Sequence, residues 1–173
     1  MKMRQYCFRG EAMSGGYVRE VIAEALSMAE SNACMRLFVA APTAGACGVL
    51  PAVLLPLCKY EELTQRQILE ALYVASGIGA VIAYRACIAG AAGGCQAEIG
   101  TASAMAAGAL VALRGGSGQQ ICHAVAMALK NLLGLICDPV AGLVEVPCVK
   151  RNVVGAVNAV SAVSYTELTL PPS

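Results

Sequence analysis

Apolar residues recur at helical spacing along most of this chain, and this pattern limits the possible folds more than any other feature. Over residues 17–33 the apolar positions form one helical stripe: Val18, Val21, Ile22, Ala25, Leu26 and Ala29. Residues three and four positions apart share one face of an α-helix, whereas a half-buried strand alternates apolar and polar residues. No segment sustains that alternation. We therefore predict an all-α fold, a compact bundle of helices rich in small residues.

Capping patterns and breaks in the periodicity indicate where the helices begin and end. Thr64 with Gln67, and Ser117 with Gln120, match the capping box, in which a hydroxyl and an amide side chain close the first helical turn. The glycine-rich stretch AGAAGGC, residues 89–95, is predicted to be a loop. The expected helices span residues 17–33, 48–58, 64–84, 96–113, 117–133 and 149–162.

The last ten residues, SYTELTLPPS, differ abruptly in composition from the small apolar residues before them. The helical pattern reaches Ala162, and no C-capping glycine follows it. We expect residues 1–163 to form one domain and residues 164–173 to be a non-native tail. A genuine short tail is the alternative interpretation.

Composition argues against several classes of function. The net charge is +1 and aromatic residues make up 5%, so neither a basic surface nor a base-stacking platform indicates nucleic-acid binding. Hydrophobic residues make up 58%, but the longest run without a charge, between Arg36 and Lys59, contains three prolines and two glycines. A backbone broken that often would leave polar groups unpaired in lipid. Since no apolar signal segment opens the chain, we predict a cytoplasmic protein that binds neither membranes nor nucleic acids.

The nine cysteines form no Cys-x-x-Cys pair, and without a secretory signal we expect reduced thiols rather than disulfides. Cys95, Cys137 and Cys148 lie at loops or helix boundaries beside glycine or proline, from which thiolates can reach one common point. Their spacing matches no zinc-finger or ferredoxin pattern. Because the only histidine, His123, is predicted to lie mid-helix, three thiolates fit an iron–sulfur cluster best. Four other cysteines are predicted to be buried as small hydrophobic side chains: Cys34, Cys58, Cys87 and Cys122.

Three blocks of the sequence resemble one known family. They are VAAPTAGACGVLPAVL (residues 39–54), GGCQAEIGTASAMAAGAL (93–110) and KNLLGLICDPVAGLVEVPCVKRNVVGAVNA (130–159). Block after block, they resemble the alpha chain of iron–sulfur-dependent L-serine dehydratase, and the resemblance runs over residues 14–162. It implies a largely helical lyase of amino-acid degradation and gluconeogenesis that converts L-serine to pyruvate and ammonia.

The resemblance also implies a cofactor, its ligands and a partner. The family uses an oxygen-sensitive [4Fe-4S] cluster and no pyridoxal phosphate, and its cluster cysteines fall on Cys95, Cys137 and Cys148. The expected partner is a regulatory beta chain. Family chains extend beyond this one at both ends. Tyr17 stands at a family aspartate position and Ala92 at a position where relatives often carry glutamate, so we expect this chain alone to be inactive.

Dehydration of serine requires loss of the α-proton and expulsion of hydroxide, whose charge an iron with an open position can take up as a Lewis acid. In the loop APTAGACG, residues 41–48, we predict that Thr43, Gly45 and the backbone amides bind the substrate carboxylate. A plain turn is the alternative. Asp138 is predicted to orient the substrate ammonium or to cap the following segment.

The base that takes the α-proton is not identifiable from the sequence, and Lys130 and His123 are the candidates. Lys130, Arg151 and Asn152 flank the segment of the last two cysteines and are expected to offset the negative charge of a cluster. Two other functions stay open. One is an iron–sulfur lyase acting on another small amino acid, such as a cysteine desulfidase, and the other is a non-catalytic iron–sulfur carrier.

Overall fold

Six α-helices dominate the part of the chain that the computed structural model describes, residues 14–169. They are α1 (Gly16–Ala33), α2 (Val49–Tyr60), α3 (Gln65–Arg85), α4 (Gly90–Leu113), α5 (Gly118–Lys130) and α6 (Glu145–Thr169). Within these residues the only extended pairing is one antiparallel bridge between Val140 and Leu143. The predicted all-α fold is therefore confirmed.

Helix α4 forms the centre of the bundle because it is apolar on almost every side. All of its residues from Ile99 to Val111 are buried, and α2, α3, α5 and α6 pack against it. Alanine and glycine are frequent in this stretch, and such small residues let neighbouring backbones approach closely. At Gly155 of α6, an added Cβ would lie 2.6 Å from Ile99 Cγ2 and 3.1 Å from Val49 Cγ2. The crossing of α2, α4 and α6 therefore depends on a glycine.

Both predicted capping boxes are present. At the start of α3, Gln67 N–H donates to Thr64 Oγ1 at 3.3 Å and Thr64 N–H donates to Gln67 Oε1 at 2.9 Å. At the start of α5, Gln120 N–H donates to Ser117 Oγ at 3.4 Å and Ser117 N–H donates to Gln120 Oε1 at 2.8 Å. These bonds satisfy N–H groups that have no partner within the helix.

The prediction of a loop over residues 89–95 is wrong. Helix α4 begins at Gly90, and only Gly94, with a φ of +73°, departs from helical geometry and kinks the helix. After the kink, Gln96 N–H donates to Leu135 O at 2.7 Å instead of to a carbonyl of its own helix. Tertiary contacts therefore outweigh the low helical propensity of the glycines.

Helix α6 is longer than predicted at both ends. It starts at Glu145, four residues earlier than expected, because Pro147 lies in the first turn, where a helix does not need the missing N–H. It continues to Thr169, seven residues further than expected, and Thr166 is 2% exposed. The helix thus includes part of the segment 164–173. The interpretation of that segment as a non-native tail stays a prediction.

Helix α3 lies at the edge of the bundle. Three small residues, Ala71, Ala75 and Gly79, are buried on the side that packs against α4. The outer face carries exposed apolar side chains, among them Tyr73 and Tyr84. Among the described residues, α3 is the one helix that is long and apolar enough to cross a membrane by length and composition. Core helices can pass the same test, so the prediction that the chain binds no membrane stays a prediction.

Candidate functional site

Two segments that are distant in sequence bring Cys95 and Cys137 close together. Cys95 follows the kink of α4 at Gly94, and Cys137 lies in the connection between α5 and α6. The hydrogen bond from Gln96 N–H to Leu135 O, 2.7 Å long, joins the two segments. An added Cβ on Gly94 would lie 3.3 Å from Cys137 N, so this position favours glycine for the close approach as well as for its positive φ.

Cys148, the fourth residue of α6, belongs to the same neighbourhood. Burial raises the pKa of the Cys148 thiol to about 11, and the Glu98 carboxylate adds to the increase. The negative charges of Cys95 and Cys137 raise the same pKa further. Burial also raises the pKa of Cys95; the Arg151 guanidinium opposes this increase and the charge of Cys137 adds to it. The three predicted ligands therefore lie within electrostatic reach of one another.

The three thiols differ in their exposure to solvent. Cys95 is 3% exposed, Cys148 is partly buried and Cys137 is exposed, so the group extends from the interior to the surface. Within the described residues, no three His, Cys, Asp or Glu side chains are arranged to hold one metal ion. Three thiols without a histidine are a donor set typical of iron–sulfur sites. The donor set fits a cluster, and the ligation itself stays a prediction.

An ion pair links the segment of Cys137 to the helix of Cys148. Arg151 Nη2 lies 2.9 Å from Asp138 Oδ2. Asp138, the residue predicted to orient a substrate ammonium or to cap the next segment, therefore already has a cationic partner. The Arg151 guanidinium also lowers the pKa of the Cys95 thiol, which agrees with its predicted role in offsetting negative charge.

Asn152 fastens the loop of residues 41–48, here called the Thr43 loop, to helix α6. Its side chain is 1% exposed, and its Oδ1 accepts a hydrogen bond from Gly48 N–H at 2.9 Å. Its Nδ2 donates to Gly45 O at 2.7 Å and to Cys148 O at 2.8 Å. A buried neutral amide with three backbone partners positions the loop beside Cys148 rather than offsetting charge.

Glu98 is a central residue of this site that the sequence analysis missed. Thr43 Oγ1 donates a hydrogen bond to Glu98 Oε1, which joins α4 to the Thr43 loop. An added Cβ would lie 2.7 Å from the carboxylate oxygens at Gly45 and 2.6 Å from one of them at Gly90. Two glycines therefore make room for this carboxylate. The sequence did carry a signal, because Glu98 is the only charged residue of α4.

The remaining residues singled out in the sequence lie away from this group or differ from expectation. His123 and Lys130 are exposed on α5, and neither side chain makes a hydrogen bond or ion pair within the described residues. The prediction that four other cysteines are buried is wrong for three of them. Cys34, Cys87 and Cys122 are exposed, because they lie at helix ends or on an outer helix face. The fourth, Cys58, is partly buried.

Comparison with known proteins agrees with the resemblance in the sequence. A family model described as serine dehydratase alpha chain matches residues 1–167. The chain belongs to this family.

Curated relatives of the chain are named as L-serine dehydratases. It is 48% identical over 162 residues to the "Probable L-serine dehydratase, alpha chain" of Bacillus subtilis (strain 168), a match that covers 94% of this chain and 54% of the relative. It is 53% identical over 143 residues to the protein of that name from Latilactobacillus sakei, covering 83% and 68%. It is 48% identical over 139 residues to "L-serine dehydratase TdcG" of Escherichia coli (strain K12), covering 80% and 31%. The chain thus spans about half the length of the Bacillus relative.

Proposed function

We propose that this serine dehydratase alpha chain supplies the catalytic residues for the conversion of L-serine to pyruvate and ammonia. One observation carries the proposal: Cys95, Cys137 and Cys148 come from separate segments and share one neighbourhood beside the Thr43 loop. The names of the relatives support L-serine as the substrate and a lyase as the class of enzyme.

The proposal includes a [4Fe-4S] cluster held by these three cysteines, and no pyridoxal phosphate. Three thiols without a histidine among them are a donor set typical of iron–sulfur sites. When bound, the cluster supplies Lewis-acid assistance to the departure of the substrate hydroxyl. Arg151, whose charge acts on Cys95, offsets part of the negative charge of the ligands.

The Thr43 loop binds the substrate carboxylate in this proposal. Within the described residues, the backbone N–H groups of Thr43, Ala44 and Gly45 donate no hydrogen bond. Successive free N–H groups in a loop attract an anion. Asn152 supports this role because it binds Gly45 O and so fixes the loop whether or not a substrate is present.

We further propose a cytoplasmic enzyme of amino-acid degradation and gluconeogenesis that works with a regulatory beta chain. The words "alpha chain" in the relatives' names support a separate partner chain. The coverage of 54% of the Bacillus relative supports a longer parent protein, in which residues 1–163 belong to the catalytic domain.

A pyruvate assay on the full-length parent, reconstituted anaerobically with iron and sulfide, tests this function. We expect pyruvate from L-serine, loss of that activity in Cys95→Ala, and no change in Cys34→Ala, which alters an exposed thiol outside the group. Pyruvate from L-cysteine alone would indicate a desulfidase. A cluster that forms without pyruvate release from either amino acid would indicate a carrier.

A further inference from the structure

We infer that the Glu98 carboxylate binds the α-ammonium group of the amino-acid substrate. The inference rests on the proposed function, because it assigns a residue to the same site. It also shifts the recognition of the ammonium from Asp138, whose carboxylate pairs with Arg151, to the partly buried carboxylate of Glu98 on α4.

The charge of Glu98 has no cationic partner in the described structure. The side chain is partly buried, its one hydrogen bond comes from the neutral Thr43 hydroxyl, and no Lys, Arg or His lies within ion-pair distance. Other carboxylates that are partly or fully buried differ: Glu61 pairs with Arg114 at 2.8 Å and Glu24 with Lys59 at 3.6 Å. A carboxylate withdrawn from water without a countercharge is costly. A cationic group on a ligand would remove that cost.

Glycine backbone, rather than further side chains, borders the Glu98 carboxylate. Gly45 from the Thr43 loop and Gly90 from the start of α4 border the carboxylate, and a Cβ at either position would collide with it. Only one oxygen, Oε1, accepts the hydrogen bond from Thr43. The other oxygen accepts none from the described residues and remains available to an N–H donor.

Glu98 also lies between the two parts of the proposed site. On one side, Thr43 connects it to the loop whose free N–H groups suit a carboxylate. On the other side are Cys95 and Cys148. Burial is the largest cause of the raised pKa of each thiol, and the charge of Glu98 raises both pKa values further. Glu98 therefore lies within electrostatic reach of both thiols. An α-amino acid carries an ammonium and a carboxylate on one carbon atom. Glu98 and the Thr43 loop, which touch each other, match that pair of charges.

Glycine and glycolate provide a direct test. Glycine carries an α-ammonium group where glycolate carries a hydroxyl, and the two are otherwise alike. Neither has a β-hydroxyl to lose, so neither can be dehydrated. The binding of both to the reconstituted full-length parent is measured by calorimetry. We expect Glu98→Gln, which keeps the shape and the acceptor for Thr43, to weaken glycine binding roughly 10- to 100-fold, the loss typical of one hydrogen bond to a charged group. Glycolate binding should change by less than about threefold, since no charged bond to it is lost. Glu98→Asp should restore part of the preference for glycine, and Glu61→Gln serves as the matched control.

The visible absorbance of the same samples separates this inference from the proposed function. A wild-type parent that takes up no cluster contradicts the proposed function, while the ratio of glycine to glycolate affinity still tests Glu98. An equal loss of both ligands in Glu98→Gln, or no loss of glycine binding, would overturn the inference. A fall in kcat with unchanged glycine binding would also overturn it, because Glu98 would then act in the chemical step rather than in recognition.

Discussion

Replacement of Asn152 by alanine should destabilise the protein strongly, although no charge is lost. The change removes hydrogen bonds to Gly48 N–H, Gly45 O and Cys148 O in a place where the side chain is 1% exposed. Each buried backbone group left without a partner costs about 1–3 kcal/mol. Cys148 O still accepts a backbone hydrogen bond within α6, so it adds little to the loss of stability. The two loop groups together give a loss of roughly 3 kcal/mol in the free energy of unfolding.

Urea unfolding followed by circular dichroism measures this loss, and Asn131→Ala is the matched control. Asn131 is exposed and donates one hydrogen bond, to Asn158 Oδ1 at 2.8 Å, so its replacement should cost less than about 1 kcal/mol. Asn152→Asp should be at least as harmful as alanine, because a carboxylate oxygen would replace the donor that faces two carbonyl oxygens. A cost for Asn152→Ala below about 1 kcal/mol would refute the reasoning, since buried unsatisfied groups could not then explain how the loop is held.

Two further predictions concern packing and pH. Gly155→Ala should cost about 1–3 kcal/mol in thermal or urea unfolding, because its Cβ would lie 2.6 Å from the buried Ile99 Cγ2; an unchanged midpoint would contradict the close crossing. Burial raises the pKa of Tyr17 from 10.0 to about 12, so the unfolded chain loses this proton first and stability should fall as the pH rises from 10 towards 12. Tyr17→Phe should flatten that part of a plot of stability against pH, and an identical slope in both proteins would contradict it.

The helices could be predicted because their signals are local. Periodicity gave α1 almost to the residue, and the capping residues Thr64 and Ser117 marked the starts of α3 and α5. Local signals failed where the chain contacts itself over long distances. The kink of α4 at Gly94 depends on contacts with the segment near Cys137, which helix propensity does not register.

Only part of the candidate site could be predicted from the sequence, for a related reason. The thiols could be selected because cysteines beside glycine and proline are conspicuous, and the structure brings Cys95, Cys137 and Cys148 into one neighbourhood. The roles of Glu98 and Asn152 arise from contacts that span 55 and 107 residues along the chain. No local pattern encodes such partners. The isolated charge in α4 was the one clue to Glu98, and nothing in the sequence indicated that Asn152 would bind the Thr43 loop.

The central claim, that Cys95, Cys137 and Cys148 hold an iron–sulfur cluster, is tested most directly by iron content and visible absorbance after anaerobic reconstitution of the full-length parent. The decisive comparison is Cys137→Ala against Cys122→Ala, since both replace an exposed thiol but only Cys137 belongs to the group. We expect about four irons per chain and thiolate-to-iron absorbance in the wild type and in Cys122→Ala, and the loss of both in Cys137→Ala. A cluster that forms equally well without Cys137 would contradict the account.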